Sequence, residues 1–404
     1  MRTSNLNRLL RHTAPHRFLL LCLPFTASCS EGSVPEPCAE LPTRTVLVYL
    51  AGDNNLEEIG RTPELLRQGW KDTGSKCLIY YDAPQAAPKL FALTIRHSDA
   101  SSVLETVEEY PEENSSSAGV FGRVLADVVR KYPSDSYGLI FVSHGSGWLP
   151  CGALSDPTRT IGDDRTPGTT GGAREMEITD FAAAIPDHQF DFIIFEACLM
   201  SGIEVAYELR NKTDYLLASS AELLVPGYAP VYPTAFQYLF DTSLGVPQAL
   251  EKFAGSYFNY IDTRNGAYRS ATQSIVYTRE MDALAILAGK TTGNTHGRWD
   301  DALLGKLQHF DRPGSYGDIP ARPRYFDFGQ YMAYLAPERQ ADLDALLRKT
   351  VVWKAATPEF MAGYNGFTIL THSGLTTYIE QDEFPELNAA YKKTAWWKAT
   401  HVQK

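Results

Sequence analysis

Two apolar runs of this chain end in side chains that could do nucleophilic chemistry. Tyr137-Gly-Leu-Ile-Phe-Val-Ser143 leads into His144-Gly145-Ser146-Gly147-Trp148, and Phe190-Asp-Phe-Ile-Ile-Phe-Glu196 leads into Ala197-Cys198. A thiol and an imidazole at the ends of neighbouring parallel strands share one sheet edge. There the imidazole can take the thiol's proton and later return it to a leaving amine. Leu199, Ile203, Ala206 and Tyr207 recur at helical spacing and predict a helix over 199–211. Such a helix would set Cys198 at its positive end, which favours thiolate over thiol. Gly145 leaves room for a substrate to approach, and its N–H with that of Cys198 would form an oxyanion hole. The plainer alternatives are a packed cysteine after a buried strand and a His-Gly turn. Cys151 is a rival nucleophile, nearer His144 in sequence but with no helix start behind it.

The elements that must position these groups follow from the apolar pattern. Short runs rich in β-branched and aromatic residues predict strands at 45–51, 77–82, 137–143, 190–196 and 215–219. Helical segments lie between them at 55–70, 118–132, 178–185 and 199–211, so the fold class is α/β with a mostly parallel sheet and helices on both faces. Functional residues of such sheets gather beyond the carboxyl ends of the strands, where Asp53 also falls. The pattern is more helical afterwards, with helices at 246–262, 280–290, 298–310, 326–336, 338–350 and 386–400 and strands at 272–278, 367–372 and 375–380. The expected organisation is a catalytic domain over 45–230 and a C-terminal α/β region over 231–404 packed on it. A polar loop over 153–177 interrupts the first part and carries Arg159, Asp163, Asp164, Arg165 and Arg174. A loop that long is usually functional or disordered.

The first 28 residues hold four arginines, no acidic residue and the run Phe18-Leu-Leu-Leu-Cys-Leu-Pro-Phe25. They read as a secretory signal, and the small residues before Cys29 read as a lipid-attachment site. Thr26 stands where such sites usually carry leucine. Residues 29–44, with Pro35, Pro37 and Pro42, read as a tether. The formal net charge of −11 falls to −15 for residues 29–404, because the leader removes only arginines. An acidic chain without basic runs excludes nucleic acid as an expected partner. Export permits disulfides, and Cys38 and Cys77 would form one if the strands they introduce are neighbours. P-loop, His-Glu-x-x-His and Gly-x-Ser-x-Gly patterns are absent from the sequence.

Three segments, Val46-Leu-Val-Tyr-Leu-Ala-Gly-Asp-Asn-Asn-Leu-Glu57, Ser143-His-Gly-Ser-Gly-Trp148 and Glu196-Ala-Cys-Leu-Met-Ser201, together resemble the clostripain family of cysteine peptidases. The resemblance runs from about residue 45 to the C-terminus. It extends to Phe367–Ile379 and Trp396-Trp397, which are similar to the ending of lipoprotein-type members from gut Bacteroidetes. It implies a caspase-like three-layer α/β/α sandwich. His144 would be the general base and acid, and Cys198 the nucleophile that forms a thioester acyl-enzyme. Family members cut after Arg or Lys using acidic pocket residues, which here would be Glu196, where an Asp is usual, and Glu222, with Asp53 near the site. The alternative for Glu196 is a carboxylate capping the next helix. The resemblance also implies self-cleavage in the 153–177 loop, at Arg159, Arg165 or Arg174. It requires no cofactor and brings in calcium only as a property of some members; Asp163-Asp164 is too slight to name a metal site. The expectation is therefore an exported cell-envelope lipoprotein, at the outer membrane or cell surface or otherwise secreted, that cleaves protein or peptide substrates. Its rivals are a catalytically inactive caspase-like binding lipoprotein, and a thiol amidase or transpeptidase acting on envelope peptides.

Overall fold

Val46, Val48 and Leu50 point to one side of the first strand and Leu47, Tyr49 and Ala51 to the other, and all six are buried. A strand apolar on both faces must lie between two layers. The computed structural model describes residues 43–154, 161–165, 175–292, 301–315 and 321–401. Cys29, Cys38, Arg159 and Arg174 lie outside the described residues, as does the proposed leader.

The strands in chain order are β1 (Arg44–Ala51), β2 (Lys76–Asp82), β3 (Lys89–Ile95), β4 (Ser102–Glu109), β5 (Ser136–Val142), β6 (Phe190–Glu196), β7 (Thr213–Ala218), β8 (Thr272–Tyr277), β9 (Phe326–Asp327) and β10 (Val351–Ala356), followed by three two-residue strands at Glu359–Phe360, Phe367–Thr368 and Thr376–Thr377. Of β1–β10, all but β9 join one nine-stranded sheet in the order β10-β8-β7-β6-β5-β1-β2-β3-β4. The five central strands, β2, β1, β5, β6 and β7, are parallel, and antiparallel pairs finish both edges. The chain leaves β1 towards β2 and returns to β5 on the opposite side. The β1/β5 boundary is thus the place where strand order reverses and a crevice opens.

Helices cover both faces. Against Val46, Val48 and Leu50 pack residues of α1 (Thr62–Gly69). The opposite face receives α2 (Ala118–Lys131), α3 (Ile178–Ala183) and α4 (Ile203–Glu208). The first of these layers is completed by α5 (Tyr232–Ala235) and α6 (Val246–Asp262). The second takes buried residues from α7 (Met281–Thr292), then, beyond α8 (Asp301–Leu304), from α9 (Phe328–Leu335), α10 (Gln340–Thr350), α11 (Pro385–Tyr391) and α12 (Ala395–Thr400). This is the expected three-layer α/β/α sandwich. β8 and β10 extend the same sheet as β1–β7, so the division expected at residue 230 falls inside one sheet.

Three local differences from the sequence expectations have physical causes. β3 and β4 form a hairpin at the sheet edge: β3 is apolar and partly buried, but the outer β4 is half-exposed and partly charged, so the apolar signal there is weak. The helix expected over 386–400 is two helices, because Thr394 accepts the Trp397 N–H and starts a new one. The helix expected from 199 begins only at Ile203, since Leu199 adopts φ +61°, outside the helical region.

Candidate active site

β5 and β6 are paired in register from Gly138↔Phe192 to Val142↔Glu196, so His144 and Cys198 each stand two residues past a matched pair. Ser143 N–H donates to the Glu196 carbonyl at 3.4 Å, continuing the ladder into the loops. His144 and Cys198 line one pocket at this edge, with Leu56, Ile59, Leu223 and Val225 among its walls.

The imidazole is held by a residue that the motif reading passed over. His144 Nε2 lies 2.7 Å from Asn55 Oδ1, which fixes Nε2 as the protonated nitrogen and Nδ1 as the basic one. Asn55 comes from the turn after β1, across the strand-order reversal. Its neighbour Asn54 ties that turn down, donating to the Ala51 carbonyl at 2.7 Å and accepting the Leu56 N–H at 2.8 Å. An Asn-Asn pair directly after a buried strand was the available signal.

Cys198 is placed differently from expectation. Four residues separate it from α4, so it does not stand at the first turn of a helix. Instead Leu223 N–H donates to Cys198 Sγ at 3.4 Å, from the loop after β7. The intervening segment is pinned by Leu199 N–H to the Ala221 carbonyl (2.9 Å) and Ser201 N–H to the Ser219 carbonyl (3.0 Å). Gly145 packs against this segment so closely that a Cβ there would lie 2.7 Å from the Cys198 carbonyl oxygen. Among the described residues no acceptor takes the Gly145 N–H.

The carboxylates expected to bind substrate take three different positions. Glu196 lines the pocket but is buried, with one oxygen accepting the Tyr228 N–H at 2.7 Å and the other accepting the Tyr232 hydroxyl. Burial pushes its carboxyl up to about 7, against the opposing pull of those two hydrogen bonds. It therefore braces the 225–232 segment and does not cap a helix. Glu222 does not line the pocket. It alternates with Leu223, so its side chain faces the other way, where it is buried and pairs with the half-buried Arg312 at 2.7 Å. Asp53 also lies off the pocket, in a cluster with Asp163, Asp164 and Arg165. Burial and then Asp164 raise its carboxyl, with Arg165 opposing.

Cys151 lies at the surface end of the His144 loop, its N–H donating to Glu177 at 2.8 Å, and does not line the pocket. Cys77 is buried in β2, and burial raises its thiol well above the usual range. Of the arginines in the long loop, Arg165 is described. Its N–H donates to the Asp53 carbonyl and its side chain pairs with Asp163 at 3.3 Å. Among the described residues no group of three or more His, Cys, Asp or Glu side chains is arranged to hold a metal. Nor is any described helix long and apolar enough to cross a membrane.

The C-terminal part buttresses both loops. Tyr325 hydroxyl donates to the Ser146 carbonyl at 2.6 Å, and Trp148 packs against Tyr378 and Tyr391 at ring separations of 5.1 and 5.2 Å. Behind Cys198, Ser201 hydroxyl reaches the Gly374 carbonyl at 2.7 Å.

A mostly parallel central sheet with a thiol and an imidazole at adjacent carboxyl ends is a caspase-like α/β arrangement. The chain belongs to the clostripain family of peptidases, whose family model matches residues 48–287. It is 26% identical over 290 residues to clostripain of Hathewaya histolytica, covering 64% of this chain. It spans about half the length of that curated relative, 52%. An inactive zymogen of a C11 protease from Parabacteroides distasonis superposes with TM-score 0.72 at 29% identity, covering 89% of this chain and 98% of its own. A secreted C11 cysteine protease from Bacteroides thetaiotaomicron, solved with an irreversible peptide inhibitor, gives TM-score 0.73 at 26% identity, covering 89% and 98%.

Proposed function

We propose that this chain is a cysteine endopeptidase in which Cys198 attacks the scissile carbonyl and His144 carries the proton. His144 Nδ1 takes the thiol proton as sulfur adds to the carbonyl carbon. The tetrahedral oxyanion then collapses to a thioester as the amine leaves with that proton. Water, deprotonated by the same imidazole, hydrolyses the thioester and restores the thiol. The Gly145 and Cys198 N–H groups are assigned to the oxyanion. The observation that carries this reading is the shared pocket, with His144 oriented by Asn55 and Cys198 backed by the Leu223 N–H.

A preference for Arg or Lys before the scissile bond follows from two carboxylates that line this pocket, Glu196 within and Glu58 at the rim. Glu222 has no part in it, being committed to Arg312. Export, with Cys29 as the lipid-bearing residue, is supported by the arginine-rich, acid-free leader and by a relative described as secreted.

The test is to incubate the full chain with peptides that vary the residue before the scissile bond, beside Cys198→Ala. Cleavage lost in Cys198→Ala, and covalent labelling of Cys198 by a peptide inhibitor, are the expected results. A wild-type chain that cuts no peptide and takes no label at Cys198 would refute the enzyme reading. Equal cleavage after Arg and after neutral residues would refute only the basic preference.

A further inference from the structure

The 153–177 loop reads in sequence as a long polar loop, functional or disordered, and its described middle residues, 161–165, are each tied to the chain around the site. Ile161 is buried and forms a bridge with Gly145 on one side and Met176 on the other. Gly162 N–H donates to the His144 carbonyl at 3.1 Å. The Asp163 carbonyl accepts Asn54 Nδ2 at 3.2 Å. Asp164 is fully buried and accepts the Ser115 N–H at 2.5 Å and the Ser115 hydroxyl at 2.9 Å. Arg165 N–H donates to the Asp53 carbonyl at 2.8 Å. The fit admits little variation: at Gly162, φ is +81° and a Cβ would lie 2.1 Å from Ser116 Oγ. A left-handed residue without room for a methyl must be glycine.

These bonds reach both halves of the imidazole's support. One goes to the backbone of His144, and two go to residues directly preceding Asn55. A segment that holds both partners fixes their separation, and a displacement of about 1 Å in such a group can cost on the order of 100-fold in rate.

We propose that Ile161–Arg165 is a strap that keeps the His144–Asn55 pair in register, and that Asp164, through its bonds to Ser115, is the positioning residue that anchors the strap. The proposal rests on the reading of His144 as the catalytic base. Asp164 does not line the pocket, so it acts through the strap and not on substrate. Docking also sets Arg165 apart as a processing point, since a peptidase takes its substrate extended and its backbone here is engaged. Any loop cleavage compatible with activity must leave residues 161–165 attached.

The full chain carrying Asp164→Asn, and separately Ser115→Ala, tests this. The expected result is a fall in kcat of about tenfold or more for Asp164→Asn, with KM changed less than about twofold, and a smaller fall of the same kind for Ser115→Ala. The acidic limb of the kcat/KM pH profile should move in both, because the environment of His144 changes. Ser115→Ala keeps the backbone bond to Asp164 and serves as the readout if Asp164→Asn does not fold. Wild-type kcat and an unmoved acidic limb in the folded variants would overturn the strap. A second readout needs no turnover: in a Cys198→Ala background, the NMR titration of the His144 ring should shift when Asp164→Asn is added. An unchanged titration overturns the proposal even where the peptidase reading itself has failed.

Discussion

His144 Nε2 and Asn55 Oδ1 meet at 2.7 Å across the boundary between β5 and β1. An amide oxygen orients an imidazole without the charge that a carboxylate would bring. Asn55→Ala should lower kcat by about tenfold to a hundredfold, less than the roughly 10²–10⁴ of a whole general acid–base because the imidazole itself remains, with KM little changed. Asn55→Asp should restore orientation but hold the imidazolium more strongly, moving the acidic limb of the kcat/KM profile to higher pH. Steady-state kinetics of the two variants against pH would check both outcomes. A wild-type profile in Asn55→Ala would remove Asn55 from the mechanism.

Glu196 makes a pH prediction whose sign follows from its burial. Its folded carboxyl is raised to about 7 from an ordinary 4.5, so the protonated form is favoured in the native state. Its contribution to stability is complete below about pH 4.5 and is lost as pH rises through about 7. The neutral isostere Glu196→Gln avoids that loss. The stability difference between wild type and Glu196→Gln should therefore move in favour of the variant, by on the order of 3 kcal/mol, between pH 4 and pH 8. Denaturant unfolding at several pH values measures it. The same titration governs the pocket's charge: preference for Arg over citrulline before the scissile bond should rise through pH 7 and flatten in Glu196→Gln.

The placement of His144 and Cys198 at one sheet edge was legible in the sequence because each follows a buried apolar strand, and pairing in register delivers both there. The two contacts that orient them were not. Asn55 is one polar residue in a turn, with nothing in its type to say which ring it meets. The Leu223 N–H is a backbone group with no side-chain signature at all. The apolar spacing at 199–207 is real, yet the helix starts late because a left-handed Leu199, bonded through its N–H to Ala221, satisfies the backbone another way. Glu222 illustrates a further limit. Its charge was visible, but the side of the loop it faces depends on alternation with Leu223 and on Arg312, about ninety positions away in sequence.

The Glu222–Arg312 pair joins a buried carboxylate to a half-buried guanidinium, with side-chain exposures of 5% and 15%. Removing one partner of a buried pair leaves the other charge uncompensated and typically costs about 3–5 kcal/mol. Arg312→Met and Glu222→Gln should each destabilise the chain by that order, and the double variant should recover much of the loss. Because the pair does not line the pocket, each variant that folds should show the same preference before the scissile bond as wild type. A selective loss of Arg and Lys cleavage in Glu222→Gln, with thermal stability unchanged, would return Glu222 to the substrate site.

Gly145 gives the sharpest steric prediction. Its missing Cβ would sit 2.7 Å from the Cys198 carbonyl oxygen and 3.0 Å from both Ala197 Cβ and Met200 Sδ. Met200 can move, but the carbonyl belongs to a backbone held by Leu199 N–H to Ala221 and Ser201 N–H to Ser219. Gly145→Ala must therefore push the loops after β5 and β6 apart, separating His144 from Cys198 and disturbing the N–H assigned to the oxyanion. A loss in kcat of about a hundredfold is expected from a displacement of that kind, with a smaller effect on unfolding than on rate, since the sheet beneath is untouched. Labelling of Cys198 by a small thiol reagent should persist while labelling by a peptide inhibitor falls with kcat, because only the second reaction needs the loops in register. Equal loss of both labels would mean that the cysteine itself has become inaccessible, and the steric account of Gly145 would then be wrong.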